Sequence, residues 1–425
     1  MGGIIILLLF VFIALCVPVV FSLGFAGLGY FLINGISLQT FVQRVVVSVD
    51  SFALLAAPFF ILAGNIMNTG GITKRIFRFA NSIVGFLPGG LGHVNVLGSM
   101  FFAGMSGTAI ADAAGLGQIE IKAMTEAGYN MEFSAAVTAA SATIGPIIPP
   151  STVMVIYGVT AGVSISQLFM GGIIPGILMG VLMMFLVAYF AWKNNFPRSN
   201  SFSIREFASS FLETVWALIT PLIIIGGVLG GICTPTEAGA ISAVYALIVS
   251  VFVYKEMTFK DIPKVLFDSM ITSGVILLIV STASVFGWCL TYDRLPQKVA
   301  LALSTTISSK ALLMSVLVVI YLFLGMIMET SAIVITTVPI FVPVLRGMGI
   351  DLVYFGVILA VLMSIGTITP PVGTVLFIIS KITKISIERL TVVMLPWYGV
   401  LLIVVVLIIV FPQIILFIPR MVGGG

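Results

Sequence analysis

Charged side chains are scarce in this chain of 425 residues, of which only 8% are Asp, Glu, Lys or Arg while 60% are hydrophobic. A soluble domain carries about 25% charged residues, so the composition excludes a soluble globular protein. The mean hydropathy is +1.26. Apolar runs long enough to cross a bilayer occupy residues 3–21, 171–192, 216–233 and 395–418. The sequence therefore predicts a polytopic, all-α membrane protein.

Histidine and cysteine are also rare. His93 is the only histidine, which excludes a multi-histidine metal site and argues against a Ser-His catalytic pair. Cys16, Cys233 and Cys289 are far apart and show no spacing typical of a disulfide framework or a zinc site. No Gly-Lys dipeptide occurs, so the chain has no P-loop. We therefore expect a protein that is not an enzyme and uses no ATP, and its net charge of +4 does not indicate a nucleic-acid partner.

A tandem-proline break occurs twice in the apolar sequence. Residues 143–150 read TIGPIIPP, and residues 366–373 read GTITPPVG. An offset of 221 residues aligns the two Pro-Pro pairs, and an offset of 222 places TVMVI on TVLFI and VSISQL on ISIERL. These matches predict two repeats, at 1–192 and 212–425, joined by a cytoplasmic linker at 193–211.

Each predicted repeat follows one plan, in which apolar segments precede an amphipathic stretch, a bent apolar pair, a proline-broken span and a last span. We predict re-entrant helical hairpins at 91–127 and 311–345, and broken helices at 130–165 and 352–380. Because a hairpin returns to its own side of the membrane, each repeat crosses an odd number of times and the second repeat is inverted. The first segment, MGGIIILLLFVFIALCVP, lacks the basic region and cleavage site of a signal peptide, so we expect it to be a span.

The distribution of Lys and Arg tests this topology, because cytoplasmic loops carry an excess of both residues. An N-terminus outside the cytoplasm places 13 of the 19 basic residues in the cytoplasm. These are Lys74, Arg75, Arg78, Lys122, Lys193, Arg198, Arg205, Lys255, Lys260, Lys264, Lys381, Lys384 and Arg389. The separation of basic residues is lost if the hairpins cross the membrane fully, so the charge pattern favours re-entrant hairpins and an N-terminus outside the cytoplasm.

The proline breaks predict cation sites. Proline has no N–H, so the carbonyl four residues before each proline loses its helical partner. These carbonyls belong to Gly145, Pro146, Gly366 and Thr367. A backbone carbonyl without a hydrogen-bond partner costs free energy in hydrocarbon unless another group interacts with it. Broken helices in inverted repeats mark the midplane ion and substrate sites of secondary transporters. For a single break, the alternative is a plain proline kink in which a neighbouring Ser or Thr side chain hydrogen-bonds the released carbonyl.

The tips of the hairpins place hydroxyl groups beside these loops. We predict one Na⁺ between the Ser106–Thr108 tip and the Gly145–Pro150 loop, and a second between the Glu329–Ser331 tip and the Gly366–Pro371 loop. Tight helix packing is the alternative role for any one small tip residue. An anionic substrate suits the space between the tips, where helix N-termini at Thr108 and Thr330 direct positive dipole ends inward. Its candidate contacts are Ser106, Gly107, Thr108, Thr330 and Ser331.

Carboxylates within predicted membrane segments are functional candidates by default. Asp112 follows the first tip by one turn, and Glu329 lies in the second tip. Three roles are open to each of these coupling candidates: balancing a cation, pairing internally or taking up a proton. Glu237, in TPTEAGA, either belongs to the same group or caps the helix that follows it.

Three long motifs resemble one family. LPGGLGHVNVLGSMFFAGMSGTAIADAAGLG, AAVTAASATIGPIIPPS and GGICTPTEAGAISAVYAL resemble the large membrane subunit of tripartite ATP-independent periplasmic (TRAP) transporters, and the resemblance extends over nearly the whole chain. It implies an elevator-type fold and Na⁺-coupled import of an organic acid across the bacterial inner membrane. It also implies a small membrane subunit and a soluble periplasmic substrate-binding protein as partners, besides membrane lipid. Since the chain begins at its first span, we expect the small subunit to be a separate polypeptide.

The resemblance also implies ligands for the cation. The family's sodium positions fall on Ser106, Thr108, Gly145, Ile148 and Pro150. Pseudo-symmetry extends them to Glu329, Thr330, Gly366, Thr369 and Pro371. No cationic residue near the tips identifies one anion, and we expect sialic acid slightly ahead of a C4-dicarboxylate. The alternatives are a stand-alone carboxylate symporter driven by Na⁺ or H⁺ and a cation channel, whereas an intramembrane enzyme lacks a nucleophile–base pair.

Overall fold

A computed structural model describes residues 2–15, 17–199, 202–306 and 309–422, and its regular elements in these ranges are all helices. Cys16 and two linker residues, at 200 and 201, lie outside the described residues. The first ten helices are α1 (Gly2–Ala14), α2 (Val19–Ile33), α3 (Leu38–Val47), α4 (Ala56–Thr69), α5 (Ile72–Val84), α6 (Gly90–Ser106), α7 (Ala109–Glu126), α8 (Met131–Ala142), α9 (Thr152–Ala161) and α10 (Ile165–Asn194).

The next ten are α11 (Ile204–Leu229), α12 (Pro235–Ile248), α13 (Ile262–Tyr292), α14 (Leu295–Thr306), α15 (Lys310–Ile327), α16 (Thr330–Gly347), α17 (Leu352–Gly366), α18 (Thr374–Thr383), α19 (Ile387–Val410) and α20 (Gln413–Val422). A 3-10 turn leads into α4, and a π-helical turn extends α12. In the described part of the chain, eight helical segments are long and apolar enough to cross a membrane. The prediction of an all-α polytopic membrane protein is confirmed.

Prolines divide two of the predicted spans. The apolar run 3–21 forms α1, which ends at Ala14, and α2, which begins after Pro18. At 13 residues, α1 is shorter than the roughly 20 residues that cross a bilayer, so the first segment is not a full span by itself. The run 395–418 is likewise divided, because α19 ends before Pro412 and α20 begins after it. In both places proline removes an N–H that the continuing helix needs.

The predicted hairpins and breaks correspond to separate helices. The segment 91–127 contains α6 and α7, and 311–345 contains α15 and α16. The segment 130–165 contains α8 and α9 with a loop between them, and 352–380 contains α17 and α18 with a second loop. The peptide bond that joins the two prolines of each Pro-Pro pair is cis. The division into two inverted repeats stays a prediction.

The broken helices lie at the centre of the protein. All fifteen residues of α17 are buried, and ten of the twelve residues of α8 are buried. A helix that is buried on every side needs apolar or small residues all round, and α8 meets this requirement with Ala, Ser, Thr and Val. The first loop is therefore held inside the helical assembly, whereas the second loop is exposed at Pro371 and Val372.

Ion pairs fix the amphipathic helix α5 to the helices beside it. The Arg78 guanidinium donates to Glu206, with Nε to Oε1 at 2.8 Å, and to Glu213, with Nη1 to Oε2 at 2.5 Å. Arg75 donates to Glu256 at 2.6 Å. Both glutamates that contact Arg78 belong to α11, so α5 is tied to a long helix that follows the linker.

Candidate functional site

The first hairpin tip is a tight turn between α6 and α7. Gly107 follows the last residue of α6 with φ of +64°, a left-handed conformation that glycine adopts readily and other residues seldom do. Thr108 is the N-cap of α7, and its Oγ1 accepts from the Ala111 N–H at 3.2 Å. The predicted helix N-terminus at Thr108 is therefore present.

Among the described residues, five carbonyls of the first proline break accept no hydrogen bond, and they belong to Gly145, Ile147, Ile148, Pro149 and Pro150. Three of them, those of Gly145, Ile148 and Pro150, are predicted ligands of the cation. The Pro146 carbonyl, which we expected to be bare, instead accepts from Ser151 Oγ at 2.5 Å. The break is thus repaired at one carbonyl by a neighbouring serine, while the three carbonyls predicted to bind a cation stay free.

This tip and this loop are in direct contact. A Cβ added at Gly107 would lie 2.5 Å from the Pro150 carbonyl oxygen, and one added at Gly145 would lie 2.9 Å from the Thr108 carbonyl oxygen. Thr152 Oγ1 donates to the Gly107 carbonyl at 3.4 Å. Because glycine lets two backbones approach this closely, both glycines are needed to bring the predicted ligands of the first site together.

Ser106 carries an unpaired buried hydroxyl at the same tip. Its side chain is only 2% exposed, and its Oγ has no hydrogen-bond partner among the described residues. Gly64 of α4 lies against it, since a Cβ added there would be 3.3 Å from Ser106 Cα. A buried polar atom without a partner is costly and requires an explanation. A cation ligated by Ser106 Oγ would supply the missing interaction.

Helix α10 shapes the first loop from the opposite side. A Cβ added at Gly172 would lie 2.3 Å from the Ile147 carbonyl oxygen, and one at Gly176 would lie 2.4 Å from Ile148 Cγ1. Small residues four positions apart form a flat helix surface against which another backbone can pack. The glycines of α10 therefore set the position of the predicted ligand Ile148.

The second hairpin tip differs from the first. Met328 is extended and ends α15, and Glu329 is the N-cap of α16. The Ala332 N–H donates to Glu329 Oε2 at 3.1 Å, and Ser331 Oγ donates to Oε1 at 3.0 Å. The predicted helix N-terminus thus begins with Glu329 as its cap, and Thr330 is the first helical residue. Both oxygens of the Glu329 carboxylate therefore accept hydrogen bonds from the first turn of α16.

In the second proline break, both carbonyls that we expected to be released have partners. The Gly366 carbonyl accepts from the Thr369 N–H at 3.1 Å, and the Thr367 carbonyl accepts from the Val375 N–H at 2.9 Å. Backbone N–H groups of the same region therefore satisfy both released carbonyls, because the chain forms turns after α17. No hydrogen bond of the described residues ends on the carbonyls of Thr369 or Pro371.

The structure assembles the first predicted ligand set more completely than the second. The second tip touches its loop through Gly325, whose added Cβ would lie 3.1 Å from Gly366 Cα, and through Met326, whose carbonyl accepts from the Val372 N–H at 3.0 Å. Within the described ranges, no hydrogen bond joins Glu329 or Thr330 to this loop. Glu329 and Pro371 are exposed, whereas Ser106, Gly145 and Pro150 are buried.

Two buried carboxyl groups lie behind the first tip. Asp112 is 1% exposed and accepts from Ser99 Oγ at 3.3 Å, while its Oδ2 has no hydrogen-bond partner in the described part of the chain. Glu120 is fully buried, and neither of its carboxyl oxygens has a partner among the described residues. Glu120 Oε1 lies 3.1 Å from a Cβ added at Gly98. The two carboxyl groups, which are two helical turns apart on α7, therefore converge on adjacent residues of α6.

Sequence reasoning missed Glu120 and the polar residues beside it. Asn95 Nδ2 donates to Thr138 Oγ1 at 2.7 Å, and Ser141 Oγ donates to Asn95 Oδ1 at 2.8 Å, so this buried network ties α6 to α8. The available signal was the spacing of eight residues between the two acids, which places both on one face of α7. Glu237, by contrast, forms a capping box with Thr234 and is a helix cap.

Comparisons with known proteins identify relatives of this chain. The family model for the tripartite ATP-independent periplasmic transporter, DctM component, matches residues 6–414. The sialic acid TRAP transporter permease protein SiaT of Haemophilus influenzae is 41% identical over 95% of this chain and 66% of its own length. The large permease protein SiaM of Vibrio cholerae is 41% identical over 96% of both chains. The 2,3-diketo-L-gulonate large permease protein YiaN of Escherichia coli is 40% identical over 95% of both.

Solved structures share the fold at low sequence identity. The YdaH transporter of Alcanivorax borkumensis superimposes with a TM-score of 0.66 at 17% identity, covering 88% of this chain and 89% of that one. MtrF of Neisseria gonorrhoeae superimposes with a TM-score of 0.65 at 16% identity, covering 88% and 84%. These similarities show a shared fold.

Proposed function

Because the chain belongs to the family of DctM components, the large permeases of tripartite ATP-independent periplasmic transporters, we propose that it imports an organic acid by Na⁺-coupled symport. Membership implies a bacterial inner-membrane transporter, not an enzyme, with a periplasmic binding protein as partner and an organic acid as substrate. The proposal adds Na⁺ as the coupling ion, an elevator movement, inverted repeats and a periplasmic N-terminus.

One observation supports Na⁺ as the coupling ion. Among the described residues, the buried Ser106 hydroxyl has no hydrogen-bond partner, and it lies at a tip in contact with a loop whose Gly145, Ile148 and Pro150 carbonyls also accept no hydrogen bond. Hydroxyl and carbonyl oxygens are ligands suited to a hard cation. With Thr108 they form the first proposed Na⁺ site, and a cation bound there would favour the ionised forms of the unpaired carboxyl groups of Asp112 and Glu120 behind it.

The second proposed Na⁺ site uses Glu329, Thr330, Gly366, Thr369 and Pro371. Its supporting features are the free carbonyls of Thr369 and Pro371 and the contact between Gly325 and Gly366. Binding at this site requires Glu329 to exchange the Ala332 and Ser331 donors for the cation. In an elevator cycle this rearrangement would accompany loading, so that the second tip closes over ion and substrate together.

We place the substrate between the two tips, in contact with Ser106, Gly107, Thr108, Thr330 and Ser331. A carboxylate there would face the N-termini of α7 and α16, whose aligned peptide dipoles favour an anion. The relatives named for sialic acid and for 2,3-diketo-L-gulonate are nearly equally similar to this chain. Both names describe sugar-derived acids, and we propose sialic acid as the first substrate to test, with C4-dicarboxylates second.

The small membrane subunit is proposed to be a separate chain. The relatives differ in length, since SiaM is matched over 96% of its length and SiaT over 66%. The proposal predicts that this chain co-purifies with a small membrane protein when the two are expressed together.

The test is uptake in proteoliposomes that contain this chain, its small subunit and a binding protein loaded with sialic acid. Uptake should require an inward Na⁺ gradient and should weaken in Ser106→Ala and Thr330→Ala. Uptake that does not depend on Na⁺ but is driven by a pH gradient would contradict the Na⁺ sites. The coupling role would then be assigned to Asp112 or Glu329. Uptake without the partners would favour a stand-alone symporter, and flux far above carrier turnover would favour a channel.

A further inference from the structure

An apolar groove of about 200 Å³ lies between α4, α12 and α13. Its lining includes Phe59, Leu62, Ile66, Val244, Leu247 and Val265. Its eleven lining residues are all apolar. Val244 is 59% exposed and Leu266, which also lines the groove, is 42% exposed, so the groove is accessible from outside the helical assembly. On a protein that spans a membrane, such an opening faces hydrocarbon.

Two lysines are sequence neighbours of residues that line one end of the groove. Its lining includes Met257, Ile262 and Val265, and Lys260 and Lys264 lie between these residues in the sequence. Both lysines are exposed, and neither ammonium group takes part in an ion pair of the described residues. Because lysine has a long apolar stem, its ammonium group can reach past the groove-lining side chains to the headgroup level.

The acidic residues of this segment are occupied or lie further along α13. Asp261 accepts from the Thr258 N–H at 2.8 Å and from Thr258 Oγ1 at 2.6 Å, and these hydrogen bonds lower the pKa of Asp261. Glu256 pairs with Arg75. Asp268 lies one turn beyond Lys264 and has no hydrogen bond from its side chain among the described residues. With Arg75, the three lysines at 255, 260 and 264 outnumber the three acidic side chains by one, so this region keeps a net charge of +1.

We infer that this groove binds one acyl chain of an anionic phospholipid, whose phosphate is held by Lys260 and Lys264. An apolar opening in hydrocarbon accepts an acyl chain of any lipid, whereas a basic cluster at the headgroup level selects negative headgroups. The proposed topology places both lysines on the cytoplasmic side. The inference does not depend on the coupling ion, because it uses residues outside both proposed Na⁺ sites.

The position of the groove gives the lipid a structural role. Helix α4 lines it with Leu62 and Ile66, and the same helix contacts the first tip where Gly64 meets Ser106. Asn65 Nδ2 donates to Ser269 Oγ of α13 at 2.9 Å. A lipid in the groove would therefore support the helix on which the first tip rests.

The experiment measures lipid retained by the full-length purified chain in mixed micelles, by native mass spectrometry. Phosphatidylglycerol and phosphatidylcholine with identical acyl chains are supplied at equal concentration. We expect preferential retention of one phosphatidylglycerol molecule. Lys260→Gln with Lys264→Gln should weaken this retention by about fivefold for each lysine, from about 1 kcal/mol per basic residue. Ala240→Phe, which narrows the groove, should reduce retention of both lipids.

The matched control replaces two exposed lysines outside the groove, Lys193→Gln and Lys381→Gln, and should leave retention unchanged. Equal retention of the two lipids, or no effect of the Lys260 and Lys264 substitutions, would overturn the inference. A third result would also overturn it. If the purified small subunit protects Val244→Cys, in a background without other cysteines, from a membrane-permeant thiol reagent, a protein helix occupies the groove.

Discussion

The hydroxyl of Ser364 donates a hydrogen bond to the carbonyl oxygen of Thr143. These residues are 221 positions apart, the same offset that aligns the two Pro-Pro pairs, so each is the counterpart of the other in the predicted repeats. Equivalent residues meet directly where a two-fold axis passes between them. The contact therefore joins the ends of α8 and α17 at the place where pseudo-symmetry predicts the two broken helices to cross.

Loss of this hydrogen bond should destabilise the centre of the protein. Ser364→Ala leaves the buried Thr143 carbonyl unpaired, which costs about 1–3 kcal/mol. We expect a lower Tm in detergent and weaker transport. Ser315→Ala is the matched control, because Ser315 is exposed and its hydroxyl donates within its own helix. Equal Tm values for the two variants would show that the contact contributes nothing to stability.

Gly107 should be required for the contact between tip and loop. In Gly107→Ala the new methyl group would lie 2.5 Å from the Pro150 carbonyl oxygen, so the tip must move away. We expect uptake in proteoliposomes to fall at least about tenfold, equivalent to about 1.4 kcal/mol.

Gly128→Ala is the control for Gly107→Ala. Gly128 also has a positive φ, of +87°, but a Cβ added there meets nothing within 4 Å. Both variants carry the cost of a left-handed alanine, and only Gly107→Ala introduces a clash. If both lose the same activity, backbone conformation and not the tip–loop contact explains the loss.

The buried carboxyl groups should strengthen Na⁺ binding. Asp112→Asn and Glu120→Gln keep size and polarity but remove the capacity for negative charge behind Ser106. Because charges interact strongly where water is excluded, we expect each variant to raise the Na⁺ concentration for half-maximal uptake by about tenfold, or about 1.4 kcal/mol. Asp268→Asn changes an exposed carboxylate and should have no effect. An unchanged Na⁺ dependence in both buried variants would remove these residues from the coupling mechanism.

The ion pairs of α5 should contribute little stability and should be sensitive to salt. Arg78 and its partners Glu206 and Glu213 are 40–48% exposed, and pairs of this kind contribute up to about 1 kcal/mol each. Arg78→Met should lower Tm slightly at low ionic strength. The difference should shrink at about 1 M salt, where the Debye length is about 3 Å. Lys74→Met, at an exposed position of the same helix, should change Tm at neither salt concentration.

Much of the fold could be predicted from composition and repetition. Apolar runs predict spans because a helix that crosses the hydrocarbon of a bilayer needs apolar side chains. The two Pro-Pro pairs mark the broken helices. The sequence did not predict where α1 ends, because the division at Pro18 depends on how the following helix packs. It also did not predict that Ser151 pairs with the Pro146 carbonyl, since a hydroxyl five residues away reaches that carbonyl only in the folded loop.

The candidate site was predicted unevenly for a physical reason. Gly107 and Gly145 are glycines at positions where two backbones meet, and such positions can be inferred from residue type. Glu120 was missed because its burial against Gly98 depends on the pairing of α6 with α7. In the second repeat, the carbonyls of Gly366 and Thr367 find donors in the same loop, and an argument from proline alone does not include those donors.

Na⁺ binding to the purified chain tests the central claim most directly. The measurement is calorimetric titration with NaCl against a choline chloride reference, comparing the native chain with Ser106→Ala and with Ser315→Ala as control. The account predicts saturable binding that weakens at least about tenfold in Ser106→Ala and is unchanged in Ser315→Ala. Binding of equal strength in all three proteins would contradict a Na⁺ site at the first tip.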